Sequence, residues 1–396
     1  MLNEEKINDI LTRGVEDVIV VNDLKKKLLS GKKIRLYLGV DPTGFDLHLG
    51  HAIVLWKLRA FQELGHEVIL LIGDFTARIG DPSGKDATRK PLTEKEVKAN
   101  MKDYKKQASK ILDFSKVKIK YNSQWLSKLK FADILKLSSQ FTVQQMIQRD
   151  MFQKRLEQNL PISVQEFMYP LMQGYDSVAM DVDLEVGGND QMFNMLAGRT
   201  LQKNYNGKDK DVMTMKILLG SDGRKMSKTF GNHIALGDSS KDMFGKVMSI
   251  KDELIADYFE LATRLNKNEI EEIKKIENPR DQKARLAKEI VKMYHGEKEA
   301  VKAEEEFDKV FRNKELPSNM PVFQTDKKIY PVLDLLCDSK LAQSKNEAKR
   351  LVEGNAVEIL AGDKKEKVSD WKKEINLVNG MIIKVGSRRF TKVKIK

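Results

Sequence analysis

Apolar positions near the start of the chain follow two different periods. Residues 34–40 and 68–72 are short and almost continuously apolar, which is typical of strands covered on both faces. Between these runs, apolar side chains recur at helical spacing from Ile53 to Leu64, and Gly65 ends the predicted helix. The order strand, helix, strand predicts a βαβ unit with parallel strands. The fold class expected for this region is therefore α/β, with a doubly wound parallel sheet.

Helical periodicity then replaces the strand signals. Thr93 and Glu96 have the spacing of a capping box that opens a helix with an apolar stripe reaching Ile111. From about residue 240 to residue 312 the apolar positions keep helical periods, with helices predicted at 253–265 and 281–294. We therefore expect a separate α-helical domain here.

The tail has a different pattern. Pro317 and Pro321 interrupt every period between residues 313 and 329, which indicates a linker. Ser344 and Glu347 form a second capping box for a helix that ends at Gly354, and β-like runs follow at 356–360 and 381–385. Residues 330–396 are therefore expected to form a small α+β domain.

Charge is concentrated in this tail. The chain of 396 residues carries a net charge of +13, and residues 330–396 hold 15 Lys and Arg against 9 Asp and Glu. Such an excess favours a polyanionic partner, because cations near phosphates release counterions. The single cysteine, Cys337, excludes an internal disulfide framework and a cysteine-based metal cage. With no apolar run near the ~20 residues of a membrane span, and no secretory signal at Met1, we expect a cytoplasmic protein.

Two of the five histidines lie in His48-Leu49-Gly50-His51, where the loop after the first strand enters the first helix. A helix start offers unpaired amides to phosphate, Gly50 allows a nucleotide to approach, and imidazoles donate to phosphate and ribose oxygens. The alternative is a pair of polar residues that cap the helix. A zinc site is not expected, since no cysteine or third histidine lies nearby in sequence.

A basic loop, Lys225-Met226-Ser227-Lys228-Thr229, follows the turn-forming residues 220–223. Two ammonium groups three residues apart could clamp a triphosphate and stabilise charge in a transition state. An ordinary solvated loop is the alternative in so lysine-rich a chain.

Residues 80–85, Gly-Asp-Pro-Ser-Gly-Lys, resemble a phosphate-binding loop but lack the Walker spacing, with Asp86 in place of a magnesium-binding hydroxyl. Either they form only a tight turn, or Asp81 faces an ammonium group while Lys85 and Arg89 face phosphate.

Tyr169, Gln173 and Asp176 are spaced four and three residues apart, so they share one face of a predicted helix. Residues 187–191, Gly-Gly-Asn-Asp-Gln, follow as a strand-to-helix turn where backbone and ribose could meet. For Asp176 the alternative is that it only caps or pairs locally. For residues 187–191 the alternative is an ordinary turn.

Taken in this order, the segments resemble the class I aminoacyl-tRNA synthetases. Residues 48–51 match the HIGH motif with Leu49 in place of isoleucine, and residues 225–229 match KMSKS with Thr229 at the end. Within that class, residues 37–43, 80–85, 169–176 and 187–191 are similar to those of the bacterial tyrosyl-tRNA synthetases. The resemblance implies a Rossmann-like catalytic domain, and activation of L-tyrosine by ATP to tyrosyl-adenylate before transfer to the 3′ end of tRNA(Tyr).

The resemblance also implies roles for individual residues. The substrate-binding set would read the phenol with Tyr37 and Asp176, hold the ammonium group with Asp81, Tyr169 and Gln173, and orient the carboxylate with Gln191. The catalytic set, which would stabilise the phosphates and the charge that develops on them, is Thr43, His48, His51, Lys85, Arg89, Lys225 and Lys228. The ATP-binding set is Gly39, Asp41, Gly50, Gly188, Asp190 and Lys228. Magnesium would accompany ATP, with no dedicated metal-binding residues.

In the tail, residues 344–352 are similar to the helix of an S4 RNA-binding domain, and Lys345, Lys349 and Arg350 would meet RNA backbone. Gly354-Asn355-Ala356 departs from the usual glycine-rich turn after that helix. A basic helix without an RNA partner is the alternative.

The implied organisation is a catalytic domain over residues 1–235, with a dimer-forming insertion at about 115–165. A helical anticodon-binding domain (236–312), a linker (313–329) and the S4-like domain (330–396) would follow. A homodimer is expected and a membrane is not. Three alternatives stay open on the sequence: a tryptophanyl enzyme, a small nucleotidyltransferase, and an inactive RNA-binding relative.

Overall fold

A six-stranded sheet organises the first of the two units into which the chain divides, Met1–Ala300 and Val301–Lys396. The structure is a computed structural model, and it describes residues 4–42, 47–83, 92–312, 320–362, 364–386 and 389–396. The strands of the first sheet are β1 (Val15–Ile19), β2 (Arg35–Val40), β3 (Glu67–Ile72), β4 (Val117–Tyr121), β5 (Leu184–Gly188) and β6 (Asp211–Met215).

The strand order in this sheet is β1-β6-β5-β2-β3-β4. β6, β5, β2, β3 and β4 are parallel, and β1 pairs with β6 in the antiparallel direction at one edge. The chain runs outward from β2 to β3 and β4, and then returns to the other side of β2 for β5 and β6. The doubly wound parallel sheet is confirmed, and its topological switch point lies between β2 and β5.

Helices cover this sheet and extend the unit beyond it. They are α1 (Glu4–Thr12), α2 (Val21–Leu29), α3 (Leu49–Glu63), α4 (Glu94–Ala108), α5 (Ser123–Leu126), α6 (Phe131–Ser138), α7 (Val143–Ile147), α8 (Asp150–Glu157), α9 (Val164–Met180), α10 (Met192–Asn206), α11 (Ser240–Met248), α12 (Ile255–Ala262), α13 (Lys267–Lys274), α14 (Pro279–His295) and α15 (Glu297–Phe307). α15 crosses the division between the two units. Within the described ranges, none of the helices combines the length and apolar character needed to cross a bilayer.

The first βαβ unit forms as its pattern predicts. β3 is buried along almost its whole length, and Leu55, Leu58 and Phe61 of α3 are fully buried. At the start of α4, the Thr93 backbone N–H donates to Glu96 Oε2 at 2.8 Å, and the Glu96 N–H donates to Thr93 Oγ1 at 3.3 Å. The capping box therefore satisfies donors that a helix start leaves unpaired.

The pattern of apolar residues did not predict β1. In addition, β4 belongs to the sheet although it lies in the segment of about residues 115–165 that was expected to be an insertion. β1 is the antiparallel edge strand, and its polar residues Glu16 and Asp17 are exposed. An edge strand with one open side tolerates polar residues, so the continuous apolar run that reveals a buried strand is missing there.

α9 and α10 pack closely, and small residues make this approach feasible. A Cβ atom placed on Gly174 would lie 2.8 Å from Leu201 Cδ1 and 3.0 Å from the backbone nitrogen of Gly198. Only glycine fits at position 174 without a shift of one helix. This close contact fixes the face of α9 that carries Tyr169, Gln173 and Asp176.

The second unit contains the small α+β fold expected for residues 330–396, with more strands than the two that its pattern revealed. One strand, Val322–Thr325, lies in the segment expected to be a linker. The strands of this unit are β7 (Val322–Thr325), β8 (Ile329–Pro331), β9 (Val357–Ala361), β10 (Lys364–Val368), β11 (Glu374–Asn376), β12 (Ile382–Val385) and β13 (Arg389–Ile395), and its helices are α16 (Val332–Asp338) and α17 (Lys345–Glu353). Five strands form one sheet in the order β10-β9-β12-β13-β7, and β11 pairs with β8.

The helix predicted to begin at Ser344 is α17, and Gly354 caps its carboxyl end. The Glu347 N–H donates to Ser344 Oγ at 3.2 Å, but the Glu347 carboxylate accepts from the Gln343 N–H at 2.8 Å. The reciprocal bond of the predicted capping box is thus displaced by one residue. It still satisfies a donor just before the helix.

The contact at Gly174 predicts a stability difference between two glycine substitutions. Gly174→Ala is expected to lower the free energy of unfolding by roughly 1–3 kcal/mol, because the added methyl group overpacks the interface of α9 and α10. Gly245→Ala in α11, where a Cβ would meet nothing within 4 Å, is the matched control. It is expected to raise stability by up to about 1 kcal/mol through helix propensity alone. Urea unfolding followed by circular dichroism measures both, and equal effects of the two substitutions would contradict the packing argument.

Candidate active site

A cleft opens at the carboxyl ends of β2 and β5, where the strand order reverses. Its volume is about 480 Å³. In open α/β sheets ligands bind at this position, because the loops that leave the strands diverge there. The residues predicted from the sequence that line the cleft are Gly39, Asp41, His48, Gly50, His51, Asp81, Tyr169, Gln173, Asp176, Gly188, Asp190, Gln191 and Lys225.

His48 and His51 stand at the first turn of α3, with His48 as the N-cap residue. The His48 backbone N–H donates to His51 Nδ1 at 3.3 Å, so His51 also caps the helix. The Nδ1 atom of His48 is buried and has no hydrogen-bond partner. Burial, together with the charges of His51, His233 and Lys225, lowers the pKa of His48 to about 3. His48 is therefore a neutral imidazole at physiological pH, with an unsatisfied nitrogen beside a helix start.

Asp176 lies in the cleft wall and is 2% exposed. Its Oδ1 accepts from Trp125 Nε1 at 2.7 Å, and its Oδ2 accepts from Asn122 Nδ2 at 3.3 Å. Burial raises the pKa of Asp176 well above its usual range, while these two hydrogen bonds act in the opposite direction. The two donors leave the carboxyl group able to accept a further hydrogen bond from a ligand.

Asp41 follows β2, lines the cleft and is hydrogen-bonded to residues around the predicted tyrosine-binding set. Its Oδ2 accepts from the Tyr169 hydroxyl at 2.7 Å, and its Oδ1 accepts from Thr76 Oγ1 at 2.8 Å. Asn122 Nδ2 in turn donates to Thr76 Oγ1 at 3.0 Å. Asp41 is thereby connected to Tyr169 on one side and to the surroundings of Asp176 on the other.

A chain of side-chain amides connects three further residues of the cleft. Gln191 Nε2 donates to Asp81 Oδ2 at 2.8 Å, and Asn194 Nδ2 lies 3.1 Å from Gln191 Oε1 and 3.0 Å from Gln173 Oε1. Gln173 Nε2 then donates to Glu185 Oε1 at 3.2 Å. Asp81, Gln173 and Gln191, which come from three separate segments of the sequence, thus belong to one hydrogen-bonded network.

Lys225 reaches the cleft from the basic loop and forms an ion pair with Asp190, with 3.3 Å between Nζ and Oδ2. Met226 is the other member of residues 225–229 that lines the cleft, and Lys228 is exposed. The structure therefore brings Lys225, but not Lys228, to the cleft.

Tyr37 is the other predicted residue that does not line the cleft. It is fully buried, and its hydroxyl lies 2.9 Å from Ser177 Oγ. Thr43, Lys85 and Arg89 lie outside the described residues.

Several cleft residues were missed by the sequence analysis. They are Thr76, Asn122, Glu185 and Met195, together with Trp125, Ser177, Asn194 and Lys210 immediately behind the wall. One signal was available, because Glu185 is an acidic residue within a strand that is otherwise apolar and buried. The others are polar residues on ordinary helices and turns, where the sequence alone does not distinguish a buried partner from a solvated one.

The residues predicted to contact RNA lie in the second unit, on α17. Lys345 pairs with Asp334 at 2.5 Å, and Arg350 is exposed. The Lys349 ammonium group lies 4.5 Å from the ring centroid of Trp371, which Lys372 approaches to 5.2 Å. A cationic surface with an aromatic ring is typical of sites that bind a polyanionic chain.

The cleft as a whole combines two chemistries. Acceptors at Asp41, Asp81 and Asp176 fit a ligand that carries an ammonium group and a hydroxyl group. The start of α3, with two imidazoles and Lys225, fits phosphate. A molecule bound across both parts would present an amino acid to a nucleotide.

The family model described as tRNA synthetases class I (W and Y) matches residues 29–312 of this chain. The tyrosine–tRNA ligase of Thermotoga maritima is 47% identical over 399 residues, which cover 99% of this chain and 98% of that protein.

Two solved structures are similar in fold. The C-terminally truncated mitochondrial tyrosyl-tRNA synthetase of Aspergillus nidulans matches with a TM-score of 0.65 and 24% identity, covering 78% of this chain and 94% of that one. The tyrosyl-tRNA synthetase of Archaeoglobus fulgidus, complexed with L-tyrosine, matches with a TM-score of 0.61 and 24% identity, covering 76% of this chain and 100% of that one.

The environment of His48 predicts an unusual titration. In the ligand-free folded protein the His48 ring is expected to show no protonation between pH 8 and pH 5, because its pKa is lowered to about 3. After unfolding in urea, the same ring should titrate near the ordinary value of 6.5. Because the unfolded chain takes up this proton first, His48 lowers the folding stability as the pH falls below 6.5.

NMR of the histidine Cε1 protons measures this titration, and a His48→Asn variant assigns the His48 signal. A His48 midpoint near pH 6.5 in the folded protein would contradict the buried, neutral imidazole.

Proposed function

Because this chain belongs to the class I tRNA synthetases for tryptophan and tyrosine, and matches a tyrosine–tRNA ligase over nearly its full length, it attaches tyrosine to tRNA with the use of ATP; we propose that the switch-point cleft is where the tyrosine is activated. The observation that carries this proposal is the set of buried acceptors opposite a helix start within one cleft. The acceptors suit a zwitterionic amino acid with a hydroxyl group, and the helix start suits ATP.

We propose that the phenol of tyrosine lies against Asp176. Asp176 accepts hydrogen bonds from Trp125 and Asn122, so a further donor such as the phenolic O–H completes its coordination. The indole of tryptophan also has one donor, but it lacks the oxygen that would accept from Tyr37. Because no part of Tyr37 is exposed, the phenol meets its hydroxyl only after side chains at this end of the cleft separate.

The ammonium group of tyrosine is proposed to lie among Asp81, Tyr169 and Gln173. Asp81 is 8% exposed, and Gln191 already donates to one of its oxygens. The Tyr169 hydroxyl donates its hydrogen to Asp41. The lone pairs of the Tyr169 oxygen point away from Asp41 and can accept from the ammonium group. Gln191, at the end of the same network, is placed to orient the carboxylate.

ATP is proposed to bind with its phosphates at the first turn of α3. The unpaired nitrogen of His48 and the amides of this turn then face phosphate oxygens. The Lys225–Asp190 ion pair separates as Asp190 turns to the ribose and Lys225 to the phosphates. Lys228 is proposed to approach with the same loop, while Gly39, Gly50, His51 and Gly188 leave room for adenosine.

The reaction needs no protein nucleophile. A carboxylate oxygen of tyrosine attacks the α-phosphorus of ATP, a bond from that phosphorus to pyrophosphate breaks, and tyrosyl-adenylate forms. A hydroxyl of the terminal tRNA ribose then attacks the carbonyl carbon, and AMP leaves. In this scheme alignment within the cleft and cations that meet the departing pyrophosphate supply the catalysis. Thr43, Lys85 and Arg89 are proposed to add to those contacts.

Magnesium is proposed to enter as part of the ATP complex. Over the described stretches of the chain, no three His, Cys, Asp or Glu side chains are grouped so as to hold a metal ion. The phosphates and water would therefore provide its ligands, as is usual for this ion. Its charge would be added to that of Lys225 at the leaving group.

The tRNA is proposed to contact the second unit through Lys345, Lys349 and Arg350 and to contact the helices of residues 236–312 with its anticodon. The support is the charge of residues 330–396 and the Lys349–Trp371 contact. This proposal places the enzyme in the cytoplasm, where tRNA and ATP are available for translation.

We also propose a homodimer formed through the segment of about residues 115–165. Phe131 is 74% exposed, Leu135 56% and Val143 64%, and Val164 immediately beyond them is 76% exposed. Neighbouring exposed apolar side chains of this size mark protein interfaces.

ATP–pyrophosphate exchange with each of the twenty amino acids offered separately tests the proposed function. Tyrosine is expected to support exchange, and phenylalanine is expected to fail because it brings no hydroxyl group to donate to the buried Asp176 or to accept from Tyr37. A preference of ~10⁵ for tyrosine over phenylalanine is the value already known for tyrosyl-tRNA synthetases. Exchange with tryptophan alone, or with no amino acid, would overturn the proposal.

Disruption of the apolar segment tests the dimer. The double variant Phe131→Asp/Val143→Asp is expected to sediment as a monomer of 45.4 kDa, whereas the unmodified protein sediments with twice that mass. Val378→Asp, which changes a 55% exposed valine in the second unit, is the matched control and should leave the dimer intact. A monomeric unmodified protein would remove the segment from this role.

A further inference from the structure

A buried ion pair lies behind the cleft at the join of α9, α10 and the sheet. Lys210, just before β6, is 0% exposed, and Glu185 of β5 is 2% exposed and also lines the cleft. The Lys210 ammonium group contacts Glu185 Oε2 directly. A Cβ atom on Gly198 of α10 would lie 2.5 Å from Lys210 Nζ and 2.8 Å from Ser177 Oγ. The helix therefore has glycine where the pair requires space.

A buried ion pair needs an explanation beyond stability. Removing two charges from water is costly, and apolar residues of the same volume are often as stable or more stable. The hydrogen bonds around this pair lead to the two ends of the proposed tyrosine site. One series passes through Ser177 to Tyr37, and the other passes through Gln173 to Asn194.

The first series controls the direction of a hydroxyl. Lys210 Nζ donates to Ser177 Oγ at 2.8 Å, and an ammonium group cannot accept in return. The Ser177 hydrogen then has two neighbours, the Tyr37 oxygen at 2.9 Å and Glu185 Oε2 at 3.5 Å. The shorter distance favours donation to Tyr37. Once the side chains that cover Tyr37 separate, Tyr37 can donate its own hydrogen to a phenolic oxygen, and that phenol can donate to Asp176.

The second series controls the direction of an amide. Glu185 as a carboxylate only accepts, so Gln173 presents its NH₂ group to Glu185 Oε1 at 3.2 Å. The Gln173 oxygen is thereby turned to the opposite side, where it accepts from Asn194 Nδ2 at 3.0 Å. A carbonyl oxygen has a second lone pair, which can accept from the substrate ammonium group. If the Gln173 side-chain amide were reversed, its NH₂ group, which is a donor, would face the positively charged ammonium group of the substrate.

We infer that Glu185 and Lys210 are a positioning pair that sets the direction of the hydrogen bonds at both ends of the bound tyrosine. The pair does not touch the reacting atoms; it acts through Ser177 and Tyr37 at the phenol and through Gln173 at the ammonium group. This inference rests on the proposed function, because it assumes that tyrosine occupies the cleft.

A double-mutant cycle on Ser177 and Tyr37 tests the phenol side. Ser177→Ala is expected to lower the preference for tyrosine over phenylalanine, measured as the ratio of kcat/KM in pyrophosphate exchange, by roughly five- to tenfold, the usual range for one hydrogen bond. Tyr37→Phe should lower the preference at least as much. In the Tyr37→Phe background, Ser177→Ala should cause no further loss, since the hydroxyl that it orients is gone. An equal loss in both backgrounds, or no loss at all, would show that Ser177 does not act through Tyr37 and would overturn the inference.

A charge-neutral replacement tests the pair itself. Glu185→Gln/Lys210→Met keeps both volumes and leaves no unpaired charge, and it is expected to raise KM for tyrosine about tenfold while KM for ATP stays unchanged. The matched control is Asp211→Asn/Lys27→Met, which removes the neighbouring ion pair of β6, 2.7 Å long, outside the cleft. This control should change neither KM. An unchanged KM for tyrosine, or equal changes in both KM values, would contradict the positioning role.

Failure of the proposed function and failure of the positioning role give different results. If the unmodified protein supports no exchange with tyrosine, the proposed function fails. If the unmodified protein is active and specific while Ser177→Ala and the charge-neutral variant behave like it, only the inference fails. Circular dichroism checks the fold of every variant, and the Ser177 cycle decides alone if the charge-neutral variant is unfolded.

Discussion

The cleft depends on keeping four acidic side chains together, three of which are buried: Asp81, Asp176 and Glu185. Asp41, Asp81, Asp176 and Glu185 all line it, and burial raises the pKa of Asp176 well above its usual range. Each carboxyl group is held by donors from other segments: Thr76 and Tyr169 at Asp41, Gln191 at Asp81, Trp125 and Asn122 at Asp176, and Lys210 with Gln173 at Glu185. A ligand that brings an ammonium group and a hydroxyl group supplies the donors that this arrangement still accommodates. The requirement to pair the acids before the ligand arrives therefore explains why so many polar side chains are buried here.

The sheet topology brings these segments together. The loops that follow β2 and β5 diverge at the switch point, and α3 begins at the same edge with His48 and His51. The periodicity of the sequence was sufficient to predict the first βαβ unit, because β2, α3 and β3 have strong and different periods. The same reasoning placed Tyr169, Gln173 and Asp176 on one face of α9, and all three line the cleft. Local patterns predict local elements well when burial is on one face or on both.

Long-range pairing could not be predicted in this way. Lys210 and Glu185 are separated by 25 positions, and nothing in their flanking residues distinguishes this lysine from the many that are solvated. The Tyr37 hydroxyl lies 2.9 Å from Ser177 Oγ, 140 positions away along the chain. The Asp41 carboxylate accepts from the hydroxyl of Tyr169, 128 positions away. In each case the partner is chosen by three-dimensional packing, which a single sequence does not contain. The antiparallel strand β1 was not predicted from the sequence because this edge strand has no continuous apolar run.

A crystal structure with a non-hydrolysable tyrosyl-adenylate analogue shows directly where tyrosine and adenosine bind. We expect the phenol at Asp176, the ammonium group among Asp81, Tyr169 and Gln173, and the adenosine against the first turn of α3. In that complex the Gln173 oxygen should face the ammonium group and its NH₂ group should remain on Glu185. An analogue bound elsewhere, or bound in this cleft with its phenol at α3 and its adenosine at Asp176, would contradict the account.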